Sequence, residues 1–348
     1  MNKRVVGIDV ARAVSIIGMI IVNFRIALGG QGTEWMEQLS GFFDGKASAT
    51  FVTLAGVGIA FMTNSAVKTV DAMQLKAARM HIIKRSAFLF VVGLSYYLVW
   101  PADILHYYAI YMLILVLLLR ASGTTLLIVT GLLVSLYPLL LFLFSYETAW
   151  DFTTFSYQDF WTPVGFVRNL FFNGFHPVVP WLAFMVLGLW FGRQDLTDTR
   201  FLKKTFVYSL VLFLAMHVVS YASADGVYGR LFGLKPMPPL PVYMIVGCSF
   251  ALIVITGCII VSRKHEKHIA IRSLKKTGQL ALTFYLAHVI IGMGVLEELN
   301  PSRMGTYPIE FALSYAVIFA ISCIVFAVVW TKYRTRGPLE WIMRRFTG

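Results

Sequence analysis

Ten times along this chain an apolar run is long enough to cross a bilayer, and nothing else in the sequence narrows the fold so far. The runs cover residues 10–28, 48–64, 86–101, 104–121, 124–145, 177–192, 205–223, 240–262, 277–297 and 308–331. A hydrocarbon core takes roughly 17–25 residues of helix. In lipid, every backbone polar group must be bonded inside its own segment, which favours helices. The chain therefore reads as an all-α, polytopic integral membrane protein with about ten transmembrane helices. Composition agrees, at 58% hydrophobic and 14% charged, where soluble domains run near half and a quarter. No run repeats another's motif, so the duplication common in transporters is not visible. Residues 1–348 are expected to form a single domain.

A net charge of +13 would point a soluble protein toward nucleic acid; here the charge sorts by side. With the N-terminus placed in the cytoplasm, 24 of the 30 Lys and Arg fall on inner segments, beginning with Lys3, Arg4 and Arg12. Arg25, Lys46, Arg168, Arg230, Lys235 and Arg303 remain outside, together with eleven of the seventeen acids. This positive-inside pattern predicts both termini in the cytoplasm and a multi-pass protein of the cell membrane. Insertion chemistry and attraction to anionic lipid suffice to explain any one basic loop residue. As a group, the inner bases suit a polyanion. The N-terminal run ends in Ala27-Leu28-Gly29 like a signal peptide, but Asp9, Arg12 and Arg25 interrupt that pattern, so a retained first helix is expected. Cys248, Cys258 and Cys323 lie in apolar runs without metal-type spacing and read as core residues.

Several residues do not belong in a plain anchor. Asp9 and Arg12, one turn apart at the entrance of the first helix, can hold each other's charge. Asn23 follows about 16 Å along the axis. Asp103 and His106 share one helical face as a base-plus-orienter pair, or equally as an N-cap aspartate and an interfacial imidazole. His288 lies midway along the ninth run, where an ionisable side chain is a functional hypothesis by default, set against a neutral His bonded across helices. Asp44 or Ser48 can cap the second helix. Pro180 should distort the sixth helix and free backbone carbonyls. The outer segments 29–47 and 146–176 are long enough to form a lid. No nucleotide loop, zinc spacing or nucleophile elbow appears.

The opening helix, with Asp9, Arg12, Val22 and Asn23, resembles that of the heparan-α-glucosaminide N-acetyltransferase family. Ala13 stands where that family usually has Gly. Further similarity lies in the Gly56-bearing second helix, the Pro177-x-x-Pro180-Trp181 run and the Tyr285-Leu286-x-His288 segment, and related uncharacterised bacterial membrane proteins share the opening. The resemblance implies a transmembrane acyltransferase that moves an acyl group from cytoplasmic acyl-CoA to an extracytoplasmic amine or hydroxyl. The donor would be acetyl-CoA or another acyl-CoA, without a metal. The family's first-loop His corresponds in position to Glu34, which could act as a base if Trp35 shields it, or be a solvated loop acid. Candidate bases are then His106, Glu34 and His288, with Asp103 as orienter and Asn23 as the amide that steadies an oxyanion. Donor phosphates would meet Arg12, Lys84, Arg85 and Arg193, with Asp9 in the same donor-binding set as the partner that holds Arg12. Expected partners are the lipid bilayer and a small-molecule or glycan acceptor, with a homodimer open and nucleic acid excluded. The rival reading is a transporter for a small metabolite or anion.

Overall fold

The computed structural model describes residues 5–29, 31–226 and 229–348. Lys3, Arg4 and the side chain of Arg230, assigned above to the two faces by charge, lie outside the described residues. The chain is 76% helical, and among the described residues the only strands form a two-residue hairpin, Trp150–Asp151 with Ser156–Tyr157. It is an all-α membrane protein.

Helix boundaries follow local chemistry. α1 (Val6–Leu28), α2 (Glu34–Gly41) and α3 (Lys46–Lys68) come first. α4 (Ala72–Ser95) starts where the Asp71 carboxylate accepts the Gln74 amide at 2.9 Å. α5 (Leu105–Leu115) runs into a 3-10 turn, and α6 (Gly123–Leu143) is capped by the Ser122 hydroxyl. α7 (Pro163–Arg168) has Thr162 as cap and Pro163 in its first turn, where a missing N–H costs nothing. α8 (Val178–Gly192), α9 (Thr199–Ala222), α10 (Pro241–Lys264) and α11 (Ile269–Gln279) follow. The ninth apolar run is broken into α12 (Ala281–Ala287), a π-turn His288–Met293 and α13 (Gly294–Leu299). α14 (Ile309–Tyr333) and α15 (Pro338–Thr347) end the chain.

Every expected apolar run contains helix, but not every helix can span alone. Among the described residues seven helical segments are long and apolar enough to cross a membrane, or eight if the bent pair Pro163–Asn173 and Val178–Gly192 counts as one. The third and fourth runs differ from expectation. α4 reaches back to Ala72 and takes in Lys76, Arg79, Lys84 and Arg85, while α5 with its 3-10 turn spans only Leu105–Leu118.

The chain divides into two compact units. The first holds residues 1–51, 202–206 and 251–345. Its centre is α1, buried along its length from Gly7 to Leu28 against α11 and α14. Gly278 makes the closest approach possible: a Cβ there would lie 1.7 Å from the Asp9 carbonyl oxygen. The second unit holds residues 52–201, 207–250 and 346–348. In it α8 is almost wholly buried. Gly188 crosses the α3 backbone so tightly that a Cβ would meet the Thr53 carbonyl oxygen at 2.0 Å. Small residues at helix crossings are what a membrane bundle uses to gain van der Waals contact where lipid supplies no hydrophobic drive.

Candidate functional site

In the first unit, α1 and the π-turn bring together two residues 265 positions apart: the Asn23 amide nitrogen lies 2.9 Å from His288 Nε2. With the amide nitrogen as donor, Nε2 is the acceptor. His288 is 1% exposed. Phe24 and Tyr285 flank its ring, at centroid distances of 6.4 and 5.3 Å. The π-turn is not left unsatisfied, because the Tyr315 hydroxyl donates to the Gly292 carbonyl at 2.9 Å. Such bulges re-aim a side chain inside a helix and recur at functional sites.

At the other end of α1, Arg12 donates to buried Asp9 at 3.1 Å, as the spacing predicted. Gln279, which sequence reasoning missed, reaches the second Asp9 oxygen at 3.5 Å. The expected cap by Asp44 is not what forms. Its carboxylate takes Arg25 at 2.5 Å, while Lys46 turns back to the Phe42 carbonyl at 2.7 Å. Glu34 stands on the exposed face of α2, bonded to Gln38 at 3.1 Å. Trp35 is itself 57% exposed and shields nothing. Of the two readings of Glu34, the solvated loop acid is the one that fits, since both side chains turn outward.

In the second unit, Asp103 and His106 form a fully buried pair, with Oδ2 3.1 Å from Nδ1. The same oxygen accepts the Leu105 amide at 2.8 Å, and the other takes a short bond from the Tyr96 hydroxyl. Asp103 thus works both as cap and as orienter. It fixes the proton on Nδ1, and His106 Nε2 is buried without a hydrogen-bond partner among the described residues. Tyr107 lies 4.0 Å from the His106 ring and 5.9 Å from that of His176. Tyr96 gave no sequence signal as a partner of Asp103, and nothing in the sequence paired His176 with Tyr107.

α8 bears out the distortion expected of Pro180: Val179 leaves helical geometry, and the Tyr111 hydroxyl takes up the freed His176 carbonyl. In the outer segment of this unit, Asn173 ties the chain to the Tyr146 and Thr148 carbonyls, each at 2.9 Å. The Tyr157 hydroxyl donates to Asn173 at 2.7 Å and accepts from Arg168 at 2.8 Å, and burial raises its pKa above the ordinary tyrosine value.

The remaining basic candidates differ among themselves. Lys84 is exposed. Arg85, and with it Arg79, keeps a buried Nε that has no partner among the described residues. Arg193 spends both terminal nitrogens on the Ala121 and Leu119 carbonyls, at 2.6 and 2.7 Å, closing the end of the α5 segment.

Residues 4–222 match the family described as heparan-alpha-glucosaminide N-acetyltransferase, catalytic. The chain belongs to this family. That match holds Asn23, Glu34, Asp103 and His106. Residues 190–348, with His288, match the family described as protein of unknown function (DUF418). Uncharacterized protein YxaH of Bacillus subtilis (strain 168) is 21% identical over 400 residues, covering 99% of this chain and 94% of the relative.

Proposed function

We propose that this member of the acetyltransferase family moves an acetyl or related acyl group from cytoplasmic acyl-CoA to an amine or hydroxyl on the opposite side of the cell membrane. The observation that carries this reading is the Asn23–His288 bond, which holds a half-buried amide against a buried imidazole flanked by Phe24 and Tyr285. Without substrate each group satisfies the other. With a thioester carbonyl bound beside Asn23, the amide turns its N–H to the oxygen, and Nε2 is released as a base. The acceptor's O–H or N–H then loses its proton to Nε2 while its heteroatom attacks the carbonyl carbon. Collapse of the tetrahedral intermediate breaks the C–S bond, and the imidazolium returns the proton to the leaving thiolate, giving acylated acceptor and CoA.

This reading keeps the ten-helix arrangement with both termini inside; Arg12, held by Asp9, in the first unit and Lys84 and Arg85 in the second are each candidates for the donor phosphates, and segments 29–47 and 146–176 are each candidates for covering the acceptor. Arg193 contributes less than the others, its guanidinium being already committed. A second base is favoured by one feature: His106 is anchored through Nδ1 and keeps Nε2 unpartnered. The test is the protein in lipid nanodiscs with acetyl-CoA, following thiol release beside an untargeted comparison of glycans and lipids from cells with and without it. A new acylated species that disappears with the protein is expected. Failure of acetyl-CoA and longer acyl-CoAs to bind or react removes the proposal.

A further inference from the structure

α12 begins without a cap of its own. Leu280 precedes it with no side-chain bond to the first turn, and the N–H groups there have no intrahelical acceptor. The cap comes from the other end of the chain. Glu340 of α15 accepts the Leu282 amide at 2.8 Å, the Thr283 amide at 3.1 Å and the Thr283 hydroxyl at 2.5 Å. The same hydroxyl accepts the Leu339 amide at 3.1 Å, so the clasp closes on itself. Gly337 is shaped for it: a Cβ there would lie 2.2 Å from Glu340 Oε2 and 2.7 Å from the Thr283 hydroxyl. A carboxylate at a helix N-terminus also meets the favourable end of the dipole. Five residues beyond Thr283, the π-turn that continues α12 carries His288.

The outward side of α15 has a different chemistry. Trp341, Arg344 and Arg345 sit at i, i+3 and i+4, on one face. Trp341 is 52% exposed, both arginines are exposed, and the Arg345 guanidinium lies 5.6 Å from the Trp341 ring centre. Lys332, Arg334 and Arg336, just before the helix, are exposed as well. The one acid between residues 332 and 348 is Glu340, and it is turned inward. The position of this face is set by its neighbour. α14, long and apolar enough to cross a membrane, ends at Tyr333, and α15 starts at Pro338. The short link is folded back by a 2.8 Å bond from the Trp330 indole to the Arg336 carbonyl. α15 is therefore held at the membrane boundary, where a Trp beside several Arg is the pattern of an interfacial helix on anionic lipid.

We propose that Trp341, Arg344 and Arg345 form a docking surface for the headgroups of anionic phospholipid, and that this docking holds Glu340 in its clasp on the helix that carries His288. The docking and the clasp stand independently of the reaction; the consequence for turnover rests on His288 acting as proposed above.

The experiment uses the full chain in nanodiscs of phosphatidylcholine alone and of phosphatidylcholine with one-third phosphatidylglycerol, reading amide hydrogen exchange of Leu282, Thr283 and α15. Exchange at these amides should slow by about ten-fold or more in the anionic discs, as a local opening becomes rarer. Arg344→Gln with Arg345→Gln, both on the surface and outside the clasp, should exchange at the neutral-disc rate in either lipid. Gly337→Ala should exchange fast in both, since its methyl group displaces the carboxylate. Equal rates for the unaltered protein in the two lipids overturn the proposal, as does a lipid response that survives the double arginine change. Inorganic phosphate added to neutral discs separates a free-phosphate site from a lipid surface: unchanged rates support the lipid, and equal slowing overturns it. If exchange behaves as expected while His288→Ala turns over normally, the clasp stands and the His288 reading falls.

Discussion

His288 and Asn23 illustrate how one bond changes the meaning of two residues. Each is an ordinary polar side chain in an apolar run, and each alone is compatible with simple packing. Joined at 2.9 Å, with the imidazole buried, they become a candidate donor and a candidate base. Asn23→Ala should lower thiol release from acyl-CoA by roughly 10²–10³, the usual effect of losing one oxyanion donor. His288→Ala should cost as much or more, and thermal melts of both variants should remain close to that of the unaltered protein. Early melting with normal specific activity would make them packing groups. His106→Ala, assayed in parallel, separates the two candidate bases. For that pair Tyr96→Phe is the finer probe: removing the hydroxyl from the Asp103 carboxylate should destabilise the second unit by about 1–3 kcal/mol, and should lower any His106-dependent turnover while leaving an Asn23–His288 reaction unmoved.

Helices are fitted to one another here through missing side chains. Gly278 on α11 and Gly188 on α8 each stand where a Cβ would lie within 2.0 Å of a backbone oxygen of the neighbouring helix. Gly278→Ala should therefore push α11 away from the Asp9 turn of α1, costing about 1–3 kcal/mol by overpacking and weakening any ligand held by Arg12. Gly131, inside α6, has nothing within 4 Å of a hypothetical Cβ. Gly131→Ala should stabilise α6 by up to about 1 kcal/mol through helix propensity. Thermal melts of the two variants in one detergent check the contrast: two equal shifts would mean that the close crossing has no energetic weight. The breaks follow similar reasoning. Pro180 announced the distortion of α8, whereas the π-turn at His288 has no proline to announce it and depends on Tyr315 and a neighbouring helix for its spare carbonyl.

For the molecule as a whole, orientation follows from where the charges lie. Lys267 and His268 lie in an exposed turn between α10 and α11, and Thr154 lies at the exposed tip of the hairpin. With both termini inside, a cysteine at position 267 should resist an impermeant thiol reagent in intact cells and one at position 154 should react. The reverse result overturns the topology. Acyl-CoA should bind with micromolar-to-millimolar affinity, and added salt should weaken that binding because the phosphates would be held by charge-assisted contacts with Arg and Lys. Calorimetry at two ionic strengths reads this directly, and salt-independent binding would place the donor phosphates elsewhere.

Hydrophobic run length and charge order were enough to announce an all-helical membrane protein, because lipid leaves the backbone little alternative and loop charge is written residue by residue. The Asp9–Arg12 pair, the Asp103–His106 pair and the broken start of α8 were readable for the same reason: their partners lie within a turn or two along the chain. The Asn23–His288 bond, the Tyr96 bond to Asp103 and the Glu340 clasp were not. Each joins segments whose proximity depends on helix crossings, and those crossings are set by glycine contacts, π-turns and side-chain volume acting together. Periodicity records which face of a helix is apolar, but not which helix will cover it. For that reason Glu34 could be nominated from its place in the loop, and only the packed chain showed it turned to the outside.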